Sequence, residues 1–81
     1  MNEQLVQIII ALAPYGAELI MYLIGILQHA LSGGQPVPKL IDITHEITSG
    51  INKSHPEWSA ELRGRYAADA IAQWHVDNPV N

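Results

Sequence analysis

The stretch that decides the fold covers residues 18–31 and reads ELIMYLIGILQHAL, in a chain of only 81 residues. Nine apolar residues, if Tyr22 and Gly25 are counted with them, follow one another from Leu19 to Leu27. A helix that is apolar around most of its circumference must be covered by protein, by lipid or by copies of itself. These three possibilities imply different functions, so the surroundings of this helix are the first question.

The apolar stretch extends toward the N-terminus and predicts one long helix over residues 3–31. At 100° per residue, one narrow stripe of this helix is polar or small, and the rest is almost wholly Leu, Ile, Val, Met and Ala. The stripe comprises Gln7, Ala11, Pro14, Glu18, Tyr22, Gly25 and His29. Proline removes a backbone hydrogen bond and clashes with the preceding turn, so Pro14 must kink or split the helix. Because the stripe keeps its phase across Pro14, the sequence favours a kink.

Two breaks divide the chain into three helical segments. The first break is SGGQPVP at residues 32–38, and the second is SGINKSHP at residues 49–56. In the second break, Pro56 suits the first position of a helix, and His55 or Ser54 could cap that helix. The sequence therefore predicts a linker over 32–37, helices over 38–52 and 56–75, and a tail over 76–81. We expect a single all-α domain over residues 1–81, in which a C-terminal two-helix hairpin folds onto the long kinked helix.

The second and third helices each have one apolar face. In the second, the predicted face contains Leu40, Ile43, Ile47 and Ile51, with Thr44 beside them. In the third, it contains Trp58, Leu62, Tyr66, Ala70, Ile71 and Trp74. Two such faces would cover about half of the apolar surface of the first helix, and monomeric proteins seldom expose a large apolar patch. The excess predicts a homo-oligomeric helical bundle whose interface contains Leu19, Ile20, Leu23, Ile24 and Leu27.

A membrane protein with one spanning helix, pore-forming or holin-like, is the main alternative. Residues 5–27 are rich in Leu, Ile and Val, which favour insertion, whereas Glu18 opposes it. In that case the polar stripe Glu18, Tyr22 and His29 would line a pore or a proton path. In an oligomer outside the membrane the same stripe could line a channel or cleft. It could equally be the solvent-facing edge of the helix.

The charge distribution narrows the classes of partner. The net charge is −4, and Lys39, Lys53, Arg63 and Arg65 are the four Lys and Arg residues. Nucleic-acid binding and attraction to an anionic membrane both need a basic surface, so neither is expected. The N-terminal MNEQLVQ lacks the positive charge of a secretory signal. We expect a cytoplasmic protein, with the inner membrane as the alternative.

The candidate binding residues lie in the third helix and just before it. Arg63 is close in helical angle to Tyr66 and Trp74, and Trp58 lies further back in the sequence. An arginine among aromatic rings could hold a phosphate or carboxylate while a ring stacks on a base or sugar. The same residues could instead be packing or interface anchors, because Trp, Tyr and Arg dominate interface hot spots.

No pattern in the sequence predicts an enzyme. There is no cysteine and no GxSxG motif, and Gly33–Gly34 is not followed by the Lys-Ser/Thr of a phosphate-binding loop. Asp42, His45 and Glu46 have a spacing that could contribute to a metal site, but it is also that of an ordinary solvated face. We therefore predict no catalytic residue, no metal site and no cofactor.

The sequence favours a small acidic protein that works by binding. The first interpretation is an accessory, regulatory or inhibitory factor that forms a homo-oligomer and binds another protein through exposed helix faces. The spanning-helix alternative remains open, and so does a third possibility, an oligomer that sequesters a small anionic ligand such as a nucleotide.

Overall fold

The computed structural model describes residues 3–80, and in that part of the chain all regular structure is helical. The four α-helices are α1 (Glu3–Leu12), α2 (Ala17–Ser32), α3 (Val37–Ser54) and α4 (Ala60–Asp77). The predicted all-α class is confirmed. The predicted domain limits at residues 1 and 81, and the last residue of the predicted tail, lie outside the described residues.

The single kinked helix predicted over residues 3–31 is instead two helices. A short 3-10 helix, Ala13–Tyr15, separates α1 from α2 and contains Pro14 near its start. Gly16 follows with φ 92° and ψ 149°, a backbone conformation that essentially only glycine adopts. The continuous polar stripe predicted from the sequence was therefore misleading, because the prediction applied 100° per residue to residues 13–16, which are not α-helical.

The two glycines predicted to end the apolar helix do so in a defined way. Gly34 has φ 94°, and its backbone N–H donates to the carbonyl of Leu31. The N–H of Gln35 donates to the carbonyl of Ala30. These two bonds satisfy carbonyls that the end of α2 would otherwise leave without partners. The linker is therefore residues 33–36, slightly shorter than predicted.

The last helix begins four residues later than the sequence indicated. Neither Pro56 nor the predicted caps His55 and Ser54 starts it; a turn occupies residues 55–59 instead. Ser59 is the N-cap of α4, and its hydroxyl accepts a hydrogen bond from the backbone N–H of Leu62. The later start moves Trp58 out of the helix and into the turn.

The four helices surround one core. Neighbouring pairs are α1 with α2, α2 with α4, α4 with α3, and α3 with α1. Because the break at residues 13–16 separates α1 from α2, each can pack its apolar side against a different neighbour. The buried apolar side chains are Leu5, Ile8, Leu12, Leu19, Ile20, Leu23, Leu27, Ala30, Leu40, Ile51, Ala67 and Ile71.

The oligomer interface predicted on the first helix is thus part of the chain's own core. Leu19, Ile20, Leu23 and Leu27 are buried, and Ile24 is half-buried. The prediction failed because it assumed one long helix, of which two partners could cover only half. With α1 and α2 packed separately, the chain itself covers these side chains.

Helices α2 and α4 lie close together and run in the same direction. Tyr22 contacts Gly64 near their starts, and the rings of His29 and His75 are 5.7 Å apart near their ends. The buried residues of α4 are Gly64, Ala67 and Ile71. Small residues on one helix let the other approach closely, so α4 turns this side inward and not the face that holds its largest apolar residues.

Helix α3 buries two hydroxyl groups in the core. Leu40 and Ile51 are buried as predicted, but Thr44 and Thr48 are buried between them, while Ile43 and Ile47 are half-buried. Among residues 3–80, the Oγ1 atoms of both threonines find no hydrogen-bond partner. A buried hydroxyl without a partner costs free energy, so α3 carries a destabilising feature that a valine of the same shape would lack.

Candidate binding surface

The surface of interest is formed by the turn between α3 and α4 and by the outer side of α4. Trp58 lies in the turn, half-buried against the core. The imidazole of His55 stacks on its indole with a centroid distance of 3.7 Å and an interplanar angle of 6°. The ring of Tyr66, from α4, also contacts the indole of Trp58, with a centroid distance of 5.2 Å and an interplanar angle of 58°. The indole therefore contacts two rings.

Leu62 and Tyr66 extend this cluster along α4 on its exposed side. They are one helical turn apart, and their exposed fractions are 44% and 53%. The sequence had placed both on the apolar face of this helix, and the structure leaves this part of the face exposed. They are exposed because α4 uses its small residues, Gly64 and Ala67, to approach α2. We call Trp58, Leu62 and Tyr66 the aromatic patch.

A shallow groove adjoins the aromatic patch. Its volume is about 290 Å³, and it is lined by Tyr66, Asp69 and Ala70. The groove therefore offers an aromatic ring, a carboxylate and a small apolar side chain on two successive turns of α4.

Acidic residues are neighbours of the patch residues in the sequence and in the groove. Glu57 lies in the turn, 3.6 Å from Nδ1 of His55, and its side chain is largely exposed. Glu61 forms an ion pair with Arg65 at 2.8 Å across one turn of α4. The carboxylate of Asp69, a residue that lines the groove, has no ion-pair or hydrogen-bond partner among residues 3–80. The rim thus has more negative than positive charge.

Arg63 does not join the aromatic patch. Its Nη1 donates to Oδ1 of Asn52 at 2.9 Å, and its Nε donates to the carbonyl of Ser59 at 3.4 Å. The guanidinium therefore links α4 to the end of α3. This contact favours the structural interpretation of Arg63 that the sequence left open, in which the residue serves packing.

Of the four predicted binding residues, the structure brings Trp58 and Tyr66 together and leaves Trp74 elsewhere. Trp74 is half-buried against the core, two turns further along α4 than Tyr66. Its backbone carbonyl accepts a hydrogen bond from the side-chain amide of Asn78. The later start of α4 changes only the position of Trp58. Tyr66 and Trp74 are eight residues apart in the same helix, which places them about 80° apart around its axis at 3.6 residues per turn.

The predicted polar stripe of α2 is divided between solvent and the contact with α4. Glu18 is exposed, whereas Tyr22 packs on Gly64, and His29 meets the edge of His75. The stripe therefore serves in part as a helix–helix contact.

Two polar contacts that join distant segments were not foreseen from the sequence. Gln35, only 5% exposed, donates from Nε2 to Nδ1 of His75 at 2.9 Å and to the carbonyl of Asn78 at 2.8 Å. The hydroxyl of Tyr15 and Nδ1 of His45 are 2.6 Å apart. No local pattern signals either pair, because the partners are at least 30 residues apart in the sequence.

Neither a metal-binding cluster nor a membrane span is found in the described part of the chain. No three His, Asp or Glu side chains of residues 3–80 are grouped so that they could hold a metal ion. Within the same range, no helix combines the length and hydropathy that crossing a membrane requires.

Comparison with known proteins adds no relative from which a function could be inferred. No protein-family model, no curated protein and no solved structure matches this chain.

Proposed function

We propose that this chain is a non-enzymatic binding protein, an accessory or inhibitory factor, which engages another protein through the aromatic patch. The observation that carries the proposal is the exposure of Leu62 and Tyr66 next to Trp58, beside a groove. Tryptophan and tyrosine are enriched among the residues that contribute most binding energy to protein interfaces.

The patch is held in place before a partner arrives, which favours binding. Trp58 is stacked on His55 and packs on the core, and Tyr66 projects from a helix whose start is capped by Ser59. Side chains that are already ordered lose less conformational entropy on association. A rigid aromatic surface is therefore a better docking site than the same residues on a mobile loop.

Other exposed apolar residues are weaker candidates. Ile10 on α1 is 68% exposed and Met21 on α2 is 72% exposed. Neither of these two residues lines the groove beside the aromatic patch. Single exposed apolar side chains are normal on proteins and need no partner to explain them.

A second copy of this chain is the alternative occupant of the aromatic patch. The sequence-based argument for a homo-oligomer depended on α2, and Leu23 and Leu27 now lie in the core of the chain. An interface between copies would have to use a different surface. The acidic rim disfavours two aromatic patches facing each other, because Glu57 and Asp69 of one copy would approach those of the other.

Site-specific photo-crosslinking in the cells that make the protein tests the proposal. We would replace Leu62 with p-benzoylphenylalanine and, as a matched control, replace Ile10, which is exposed on a different helix. The expected result is one dominant adduct with a different protein at position 62 and none with that protein at position 10. An adduct with a second copy of the chain would replace the proposed partner by self-assembly. The absence of any protein adduct at position 62 would contradict a docking role for the patch.

A further inference from the structure

We propose that the groove beside the aromatic patch receives a positively charged side chain, lysine or arginine, from the partner protein. This inference depends on the proposed function, because it specifies the chemistry of the partner at the same surface. It assigns a role to Asp69, which was not among the binding residues predicted from the sequence.

The chemistry of the groove fits a cation. The groove is lined by Tyr66, more than half of whose surface is exposed, and by Asp69, whose side chain is a carboxylate. A cation over an aromatic face is attracted by the negative charge of the ring face, and a carboxylate beside it adds an ion pair. Ala70 is small and apolar, so it suits the methylene stem of a lysine or arginine side chain.

The chain's own neighbouring cations do not neutralise Asp69. Arg63 is engaged by Asn52 and by the carbonyl of Ser59, and Arg65 is paired with Glu61 at 2.8 Å. The Asp69 carboxylate forms no ion pair within residues 3–80. A cation from outside the chain would therefore gain this partner without displacing another.

The charge around the groove also distinguishes classes of partner. The net charge of the chain is −4, and Glu57 and Glu61 lie near the aromatic patch. This surface attracts a basic protein segment over distances of about one Debye length, roughly 8–10 Å at physiological salt, and repels an acidic one. A partner segment with an apolar residue for the patch and a basic residue for the groove satisfies both features.

A random-peptide display selection on the full-length chain tests the inference. The selected peptides are synthesised, and their dissociation constants are measured for the wild type and three variants. Tyr66→Ser removes the aromatic wall at an exposed position, and Asp69→Asn removes only the charge. Asp42→Asn, on the exposed side of α3, is the matched control for a change of net charge.

If the inference is correct, the enriched peptides contain Lys or Arg next to an apolar residue and lose affinity for Tyr66→Ser. Their affinity for Asp69→Asn should fall about two- to fivefold, the range that corresponds to an exposed ion pair. The affinity for Asp42→Asn should be unchanged. In a charge swap, Asp69→Lys should bind weakly to the basic peptide and regain affinity when the basic residue is replaced by Glu.

The outcomes separate the inference from the proposed function. Peptides that need Tyr66 but are neutral or acidic, and that bind Asp69→Asn as well as the wild type, would overturn the cationic partner and retain the aromatic patch as a docking site. A selection in which no enriched peptide depends on Tyr66 would overturn the inference, and photo-crosslinking at position 62 would then decide the proposed function by itself.

Discussion

The close contact between α2 and α4 makes a specific prediction about Gly64. In Gly64→Ala, the new Cβ would lie 2.8 Å from Cβ of Tyr22 and 2.9 Å from its Cδ2. Carbon atoms essentially never approach this closely, and Cβ of Tyr22 is attached directly to the backbone of α2. Rotation of the Tyr22 ring therefore cannot relieve the whole clash, and the helices must separate. Overpacking of this kind costs about 1–3 kcal/mol.

The clash competes with a gain in helix propensity. Alanine is better than glycine by about 1 kcal/mol in the interior of a helix. We therefore expect Gly64→Ala to lower the free energy of unfolding by up to about 2 kcal/mol. Gly25→Ala in α2 is the matched control, because a Cβ there meets nothing within 4 Å. It should gain the propensity term alone and become more stable by about 1 kcal/mol.

The difference between these two variants isolates the packing term. Urea unfolding followed by circular dichroism at 222 nm should place Gly64→Ala below Gly25→Ala by about 1–3 kcal/mol. In thermal unfolding, each kcal/mol corresponds to about 4–8 °C for a domain of this size. Gly50→Ala in α3, also in open space, provides a second control. Equal stability of Gly64→Ala and Gly25→Ala would refute the close approach of α2 and α4 at this position.

Four further predictions concern the core and the helix ends. Thr44→Val removes a buried hydroxyl that has no partner among residues 3–80, so it should raise the free energy of unfolding by about 1 kcal/mol in urea titrations. A lower free energy of unfolding would mean that the hydroxyl is hydrogen-bonded. Leu27→Glu buries a charge and should abolish the cooperative unfolding transition, whereas Met21→Glu, at an exposed position of the same helix, should change stability by no more than about 0.5 kcal/mol. Ser59→Ala removes the N-cap of α4 and should cost about 1 kcal/mol, measured in the same titrations, while an unchanged midpoint would show that the cap is not needed. Gln35→Ala removes two hydrogen bonds to the C-terminal end of α4, so it should lower the free energy of unfolding by about 1–3 kcal/mol and speed amide hydrogen exchange in residues 74–78. Unchanged exchange in these residues would contradict the role of the Gln35 amide.

The candidate surface was only partly predictable from the sequence. Trp58 and Tyr66 could be selected from their residue types, because large aromatic side chains serve as anchors in cores and interfaces alike. Their exposure could not be predicted, since it depends on which side of α4 turns toward α2. Nothing in the sequence indicated a binding role for Asp69, because a carboxylate on a helix suggests one only when a groove and an aromatic residue lie beside it.

Local chemistry was sufficient for the helical class, the break at the two glycines and the apolar character of residues 19–27. Those features follow from backbone properties and from periodicity, which act within a few residues along the chain. The same information also showed that Pro14 must kink or split the helix, since proline lacks a backbone N–H.

Tertiary packing decided what those local features could not. The direction of the chain after Gly16 determines whether the apolar side of α2 faces a second molecule or the chain's own core, and the structure places Leu23 and Leu27 in the core. Packing likewise decided that α4 buries Gly64 and Ala67 and leaves Leu62 exposed. In both cases the outcome depends on how closely two helices distant in sequence approach each other, and no local pattern encodes that distance.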